Sequence, residues 1–176
     1  LIPGLASTRL VSWSRVKCPF PQQSVDISTI MWLSLSRLSL EATSPYIPTS
    51  LSKSKNPPRS CWVDCLKLRS DGSERDNNNV SHTNQTCKIR PDEGIDAISS
   101  LSPVDFTTEM LLSSGNTVYA WLVNWLALNL NYDYNSLVGL GYDWRLSPPT
   151  MQARDGYFTR VRSTIEATVR SNEGRP

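Results

Sequence analysis

The 176 residues contain a single histidine, His82, which excludes chemistry that needs an imidazole pair or a His-rich metal site. No run of five or more Lys/Arg occurs, and 18 basic residues against 16 acidic leave a net charge of +2. Nucleic acid is therefore not an expected partner. A helix that crosses a bilayer needs roughly 18 or more consecutive apolar residues. The most apolar stretch, VYAWLVNWLALNL (118–130), is interrupted by Asn124 and Asn129 and predicts a buried helix. There is no initiator Met and no basic segment leading into an apolar one, and the opening LIPG reads as chain cut into the tail of a strand. Zinc ligation is not expected, because Cys61-x3-Cys65 has only Cys87 and His82 near it. Neither a metal nor a cofactor is called for.

A hydrophobic content of 39% supplies a core for one domain or a large piece of one. Four cysteines, Cys18, Cys61, Cys65 and Cys87, make an even count that allows three pairings. Two N-x-[ST] acceptors, Asn79-Val80-Ser81 and Asn84-Gln85-Thr86, share one polar stretch. Together these features favour an oxidising, glycosylating compartment.

Along the chain, LIPGLASTRL (1–10) looks like a strand end followed by a Pro-Gly turn and small residues. Residues 11–40 are apolar-rich, and EATSPYIPTSLSKSKNPPRS (41–60) is a loop by its four prolines, serines and lysines. The segment 61–90 begins and ends with short apolar runs around an Asn-rich excursion at 70–86, the pattern of an arm closed by cysteine. Val118, Trp121, Leu122, Trp125, Leu126 and Leu128 recur at helical spacing, the pattern of an amphipathic or largely buried helix, and NYDYN ends that helix. SLVGLGYDW (136–144) predicts a short buried strand in which Gly139 and Gly141 permit close backbone approach. Pro148 and Pro149 then start a helix over 150–170, with Met151, Phe158, Val161, Ile165 and Val169 near helical spacing. The order helix, strand, helix is that of a parallel α/β sheet.

These pieces taken in order, IPGLAST (2–8), Trp13 and Cys18, MWLSL (31–35), CWVDCLKL (61–68), NQTCKIRPDEG (84–94), YDWRLSP (142–148) and RDGYFTRVR (154–162), resemble the lecithin:cholesterol acyltransferase-like family of α/β hydrolases, in particular its plant-type phospholipid:sterol and phospholipid:diacylglycerol acyltransferases. The resemblance covers nearly the whole chain; the 41–60 connection is longer than is usual in the family. It implies the N-terminal half of an α/β-hydrolase fold. Residues 1–10 and 114–176 would form part of the core, and 11–113 an inserted, disulfide-closed lid that contacts membrane. The family's serine sits on a G-x-S-x-G elbow with Asp and His after it. No such elbow occurs here, so the chain is expected to stop before the catalytic serine and to be inactive alone. His82 precedes the elbow's place and reads as a solvated loop residue, and Ser7 has neither elbow nor base.

By the same resemblance, Ala6 would present one backbone N–H of an oxyanion hole, with Leu5 as the adjacent alternative. Trp32, Met31 and Leu33 would contact the membrane, and Trp62 follows the cysteine that pins them. Cys18 would pair with Cys61, leaving Cys65 to pair with Cys87. Tyr142, Asp143, Trp144 and Arg145 would wall the site at the carboxyl end of a central strand, with Asp143 and Arg145 able to pair. The implied activity is transfer of a fatty acyl group from a phospholipid donor, through an acyl-serine, to a sterol or diacylglycerol acceptor at a membrane surface in the endoplasmic reticulum or secretory pathway. The alternatives are a phospholipase A-type hydrolase of the same fold and a non-catalytic secreted lipid-binding module.

Overall fold

The structure, a computed structural model, describes residues 1–17, 24–32, 34, 61–74, 86–101 and 117–173. The loop at 41–60, most of the arm at 70–86 and residues Cys18 and Leu33 lie outside them. The chain forms two compact units, residues 1–10 with 91–176, and residues 11–90. The segment 91–101 belongs to the first of these units. Its backbone ties to the opening segment explain why: Arg9 N–H donates to the Ala97 carbonyl and Asp92 N–H to the Arg9 carbonyl, both at 2.9 Å. Ala97 and Ile98 are fully buried.

Three short strands, β1 (Leu10–Ser12), β2 (Ile30–Trp32) and β3 (Ile89–Pro91), form a sheet in the order β2-β1-β3. Each alternates inward and outward residues, so that Leu10, Met31 and Ile89 point into the core. Beyond β1 the chain folds back, and Val16 pairs antiparallel with Val25, both buried. Helix α1 (Cys61–Leu66) carries Asp64, buried and paired with Lys67 at 2.6 Å. A disulfide joins Cys65 of α1 to Cys87 and closes a loop of 22 residues. This pairing is the one the resemblance implied; the Cys18–Cys61 pairing lies outside the described residues.

In the other unit, α2 (Asp96–Ser99) is followed by α3 (Ala120–Leu130). The helix at 118–130 forms nearly as expected, ended by Asn131 in the left-handed region at φ 56°. Its burial does not match the expectation. None of its residues is buried, and Trp121, Trp125 and Leu128 are exposed, Leu128 by 85%. Apolar residues occupy all sides of this helix, and α2 packs against it.

The segment expected as a strand over 136–144 runs extended without becoming a regular strand. Leu137, Gly139, Gly141 and Asp143 are buried in alternation with half-buried residues, as strand geometry demands. Its backbone partner is residue 1: Leu1 N donates to the Val138 carbonyl at 2.7 Å and Leu140 N–H to the Leu1 carbonyl at 2.9 Å. That is one parallel rung, which does not make a ladder. The expected close approach at the glycines is present. A Cβ on Gly139 would lie 2.6 Å from the Gly94 carbonyl oxygen, and one on Gly141 would lie 2.8 Å from Thr8 Cγ2.

The single helix expected over 150–170 is two, α4 (Pro148–Asp155) and α5 (Tyr157–Ser171). Gly156, at φ 61°, donates its N–H to the Gln152 carbonyl and ends α4. The Gln152 side chain then accepts from Phe158 N–H at 2.9 Å and supplies the missing cap to α5.

Candidate functional site

The Pro-Gly turn is built from the backbone outward. Pro3 is buried, and Ser7 N–H donates to the Gly4 carbonyl at 3.2 Å, closing residues 4–7 into a β-turn. Inside it Ala6 stands at φ 59°, a left-handed conformation that costs an L residue about 1–2 kcal/mol. Leu5 beside it is 77% exposed. The chain is then fixed firmly: Thr8 is fully buried and its Oγ1 accepts from Tyr142 N–H at 3.2 Å. Two segments that the sequence singled out 134 positions apart thus meet in one unit.

Around Tyr142 the packing is aromatic and cationic. Its ring lies 5.6 Å from that of Tyr157, and the Arg160 guanidinium stands over the Tyr157 ring at 5.7 Å. Burial pushes both phenols above their ordinary range.

Asp143 is the electrostatic centre. It is 0% exposed, and its two oxygens receive four donors: Arg145 N–H at 3.2 Å, Arg145 Nε at 2.8 Å, Arg145 Nη2 at 2.6 Å and Arg154 Nη2 at 2.7 Å. Burial by itself would raise the carboxyl, but the hydrogen bonds and charges of Arg145 and Arg154 outweigh it and hold Asp143 below the usual carboxylate range. Arg154 also pairs with Asp155 at 2.7 Å. Burial disfavours its charge, and the Asp155 and Asp143 carboxylates more than offset this, so its pKa is raised. The Asp143–Arg145 pair is the one expected from the sequence. Arg154 and Asp155 extend that pair into a network, and the signal for them in the sequence is an Arg-Asp pair just before a helix-ending glycine.

The structure brings Leu5, Ala6, Tyr142, Asp143, Trp144 and Arg145 into one unit. Trp144 and Arg145 are half-buried at the residue level. In the other unit Met31 is fully buried and Trp32 half-buried. Leu33, His82 and the acceptors Asn79 and Asn84 lie outside the described residues, and so do the side chains of Cys61 and Trp62. No helix among the described residues is long and apolar enough to cross a membrane.

Comparison with known proteins gives a consistent result. The sequence model for lecithin:cholesterol acyltransferase matches residues 49–176, well over half of the chain. A phospholipid–sterol O-acyltransferase of Arabidopsis thaliana is 30% identical over 174 residues, which is 99% of this chain and 23% of that protein. A phospholipid:diacylglycerol acyltransferase of Schizosaccharomyces pombe is 25% identical over 166 residues, 94% of this chain and 20% of that protein. A phospholipid:diacylglycerol acyltransferase of Saccharomyces cerevisiae is 32% identical over 79 residues, 41% of this chain and 12% of its own length. The chain thus spans less than a quarter of the curated relatives it matches. No solved structure matches.

Proposed function

The chain belongs to the lecithin:cholesterol acyltransferase family, and from that premise we propose that the complete protein is a phospholipid-dependent O-acyltransferase of α/β-hydrolase fold. In this reading a serine outside these residues attacks an ester carbonyl of a glycerophospholipid and passes its proton to a base. The base returns that proton to the departing oxygen, the lysophospholipid leaves with a free hydroxyl, and an acyl-serine remains. The hydroxyl of a sterol or diacylglycerol then attacks the acyl-serine, forming the new ester and restoring the serine. Each attack passes through an oxyanion, and the chain's contribution is one donor to it, the Ala6 N–H, with that of Leu5 adjacent.

One observation carries the reading: the hydrogen bond between Thr8 and Tyr142, at 3.2 Å, sets the strained Pro-Gly turn against the end of an extended segment that pairs in parallel. Open α/β sheets build their sites at such strand ends. The ion network of Asp143, Arg145 and Arg154 holds that end rigid, while Tyr142 and Trp144 fill apolar space beside it. In the unit at 11–90, Trp32 is the surface-reaching member of the proposed lipid contact, between the buried Met31 and Leu33 in sequence, and Trp62 is the further residue assigned to that contact. The Cys65–Cys87 disulfide supports a secretory-pathway or endoplasmic-reticulum location at a membrane, as do the acceptors at Asn79 and Asn84.

The test is a product assay on the complete gene product, with vesicles of acyl-labelled phosphatidylcholine containing a sterol or diacylglycerol. Label in steryl ester or triacylglycerol supports the proposal and identifies the acceptor. Label only in free fatty acid would make the protein a phospholipase A-type hydrolase instead. Unchanged phospholipid would leave a non-catalytic lipid-binding module.

A further inference from the structure

The turn at 4–7 has an informative sign pattern. Its closing bond runs from Ser7 N–H to the Gly4 carbonyl at 3.2 Å. Of the two central residues, Ala6 has φ 59°, and Leu5 is not among the residues of positive φ. Negative followed by positive is the signature of a type II turn, in which the second central position ordinarily holds glycine or asparagine. Types I and II share their ends and differ by a flip of the central peptide plane. Here that plane joins Leu5 to Ala6 and carries the Ala6 N–H.

We infer that the Leu5–Ala6 peptide is a two-position element, held in its type II orientation by the anchoring of the residues after it. This rests on the reading of Ala6 as the oxyanion donor and deepens it. An alanine left to itself favours type I, which would turn its N–H to the opposite face. Opposing that relaxation is a chain pinned from Thr8 onward. Thr8 is fully buried and bound to Tyr142 N–H, and Gly141 leaves no Cβ between itself and Thr8 Cγ2. Arg9 is tied by backbone to Ala97 and Asp92 and by an ion pair to the Asp92 carboxylate at 2.5 Å. Tyr142 is therefore a positioning residue. Through Thr8, the YDWR segment decides which face receives the donor.

The experiment places glycine, asparagine and valine in turn at position 6 of the complete gene product, and measures kcat and KM on phosphatidylcholine vesicles, with circular dichroism to confirm folding. Asparagine and valine are close in volume but opposite in their tolerance of positive φ. Ala6→Gly and Ala6→Asn are expected to exceed Ala6→Val in kcat by about tenfold, the factor set by the penalty on a left-handed L residue, with KM little changed. If Ala6→Asn is as slow as Ala6→Val, side-chain volume rules and the two-position element is overturned, although the oxyanion assignment survives. If no substitution moves kcat, the oxyanion assignment itself falls. A second measurement reads the coupling: Thr8→Val should lower kcat severalfold with alanine at position 6 and clearly less with glycine there. Equal losses in the two backgrounds would overturn the role of the anchor.

Discussion

Replacing Asp143 by asparagine tests the electrostatic centre most directly. The carboxylate accepts two donors at each oxygen, and all of them come from Arg145 and Arg154. The substituted amide would keep one oxygen and present an NH2 group to the other pair of donors, so two attractions become donor–donor conflicts. Two guanidinium groups would also lose their shared counter-charge at a site with no solvent access, Asp143 being 0% exposed. Breaking a buried ion pair from one side typically costs about 3–5 kcal/mol. Arg154 keeps Asp155 at 2.7 Å, which points to the lower end, about 3 kcal/mol. For a chain of this size that corresponds to a fall in melting temperature of roughly 6–12 °C. The sign with pH follows from the depressed carboxyl of the folded state. The stabilisation is fully present above the unfolded carboxyl value of about 3.9 and is lost as pH falls through the lower folded value. Asparagine does not titrate at this position, so urea unfolding of both proteins should show a constant gap from pH 7 down to about 5, narrowing below about 4. A gap under about 1 kcal/mol at neutral pH, or one that stays unchanged in acid, would refute the ionic account.

Three further perturbations have defined outcomes. Cys65→Ser with Cys87→Ser opens a loop of 22 residues, and the chain-entropy relation sets the loss at about 3 kcal/mol; hydrogen exchange should accelerate in residues 61–74 and 86–90 before it does in α4 and α5, and uniform acceleration would contradict this. Gly139→Ala drives a Cβ to 2.6 Å from the Gly94 carbonyl oxygen, a backbone atom that cannot swing aside, so a loss of about 2 kcal/mol is expected in urea titration. Gly156→Ala meets no neighbouring atom and pays only for its positive φ, about 1 kcal/mol, so a larger loss here than at Gly139 would reverse the ranking of crowding over conformation.

Much of this was legible in the sequence wherever a residue type has one dominant local meaning. Proline at 148 and asparagine at 131 mark element ends that the structure keeps, and the turn expected at Pro3-Gly4 closes over residues 4–7. The break at Gly156 is not legible because the apolar period of 151–169 runs straight through it, and the Gln152 cap that makes the break stable is a contact no periodicity reports. The role of Arg154 is hidden for a related reason: its partner Asp143 lies 11 positions away across a helix start, and charge pairing over that distance leaves no spacing rule. The exposure of α3 is not legible because counting apolar residues measures what a helix would gain by being covered, and coverage depends on neighbours from other parts of the chain.

Glycine and alanine are placed around the turn in a way that separates space from conformation. Gly139 and Gly141 stand where a Cβ would strike Gly94 and Thr8, so their absence of a side chain is demanded by packing. At position 6 the demand is conformational, φ being 59°, and there the chain has alanine. Were the turn only a connector, glycine would relieve that strain of about 1–2 kcal/mol at no steric expense. Alanine, held left-handed by a pinned Thr8, gives a narrower set of positions than glycine would under the same anchors. That narrowness is the property a fixed donor to a developing charge requires, since a donor that must reorient during the reaction gives back part of the stabilisation it supplies.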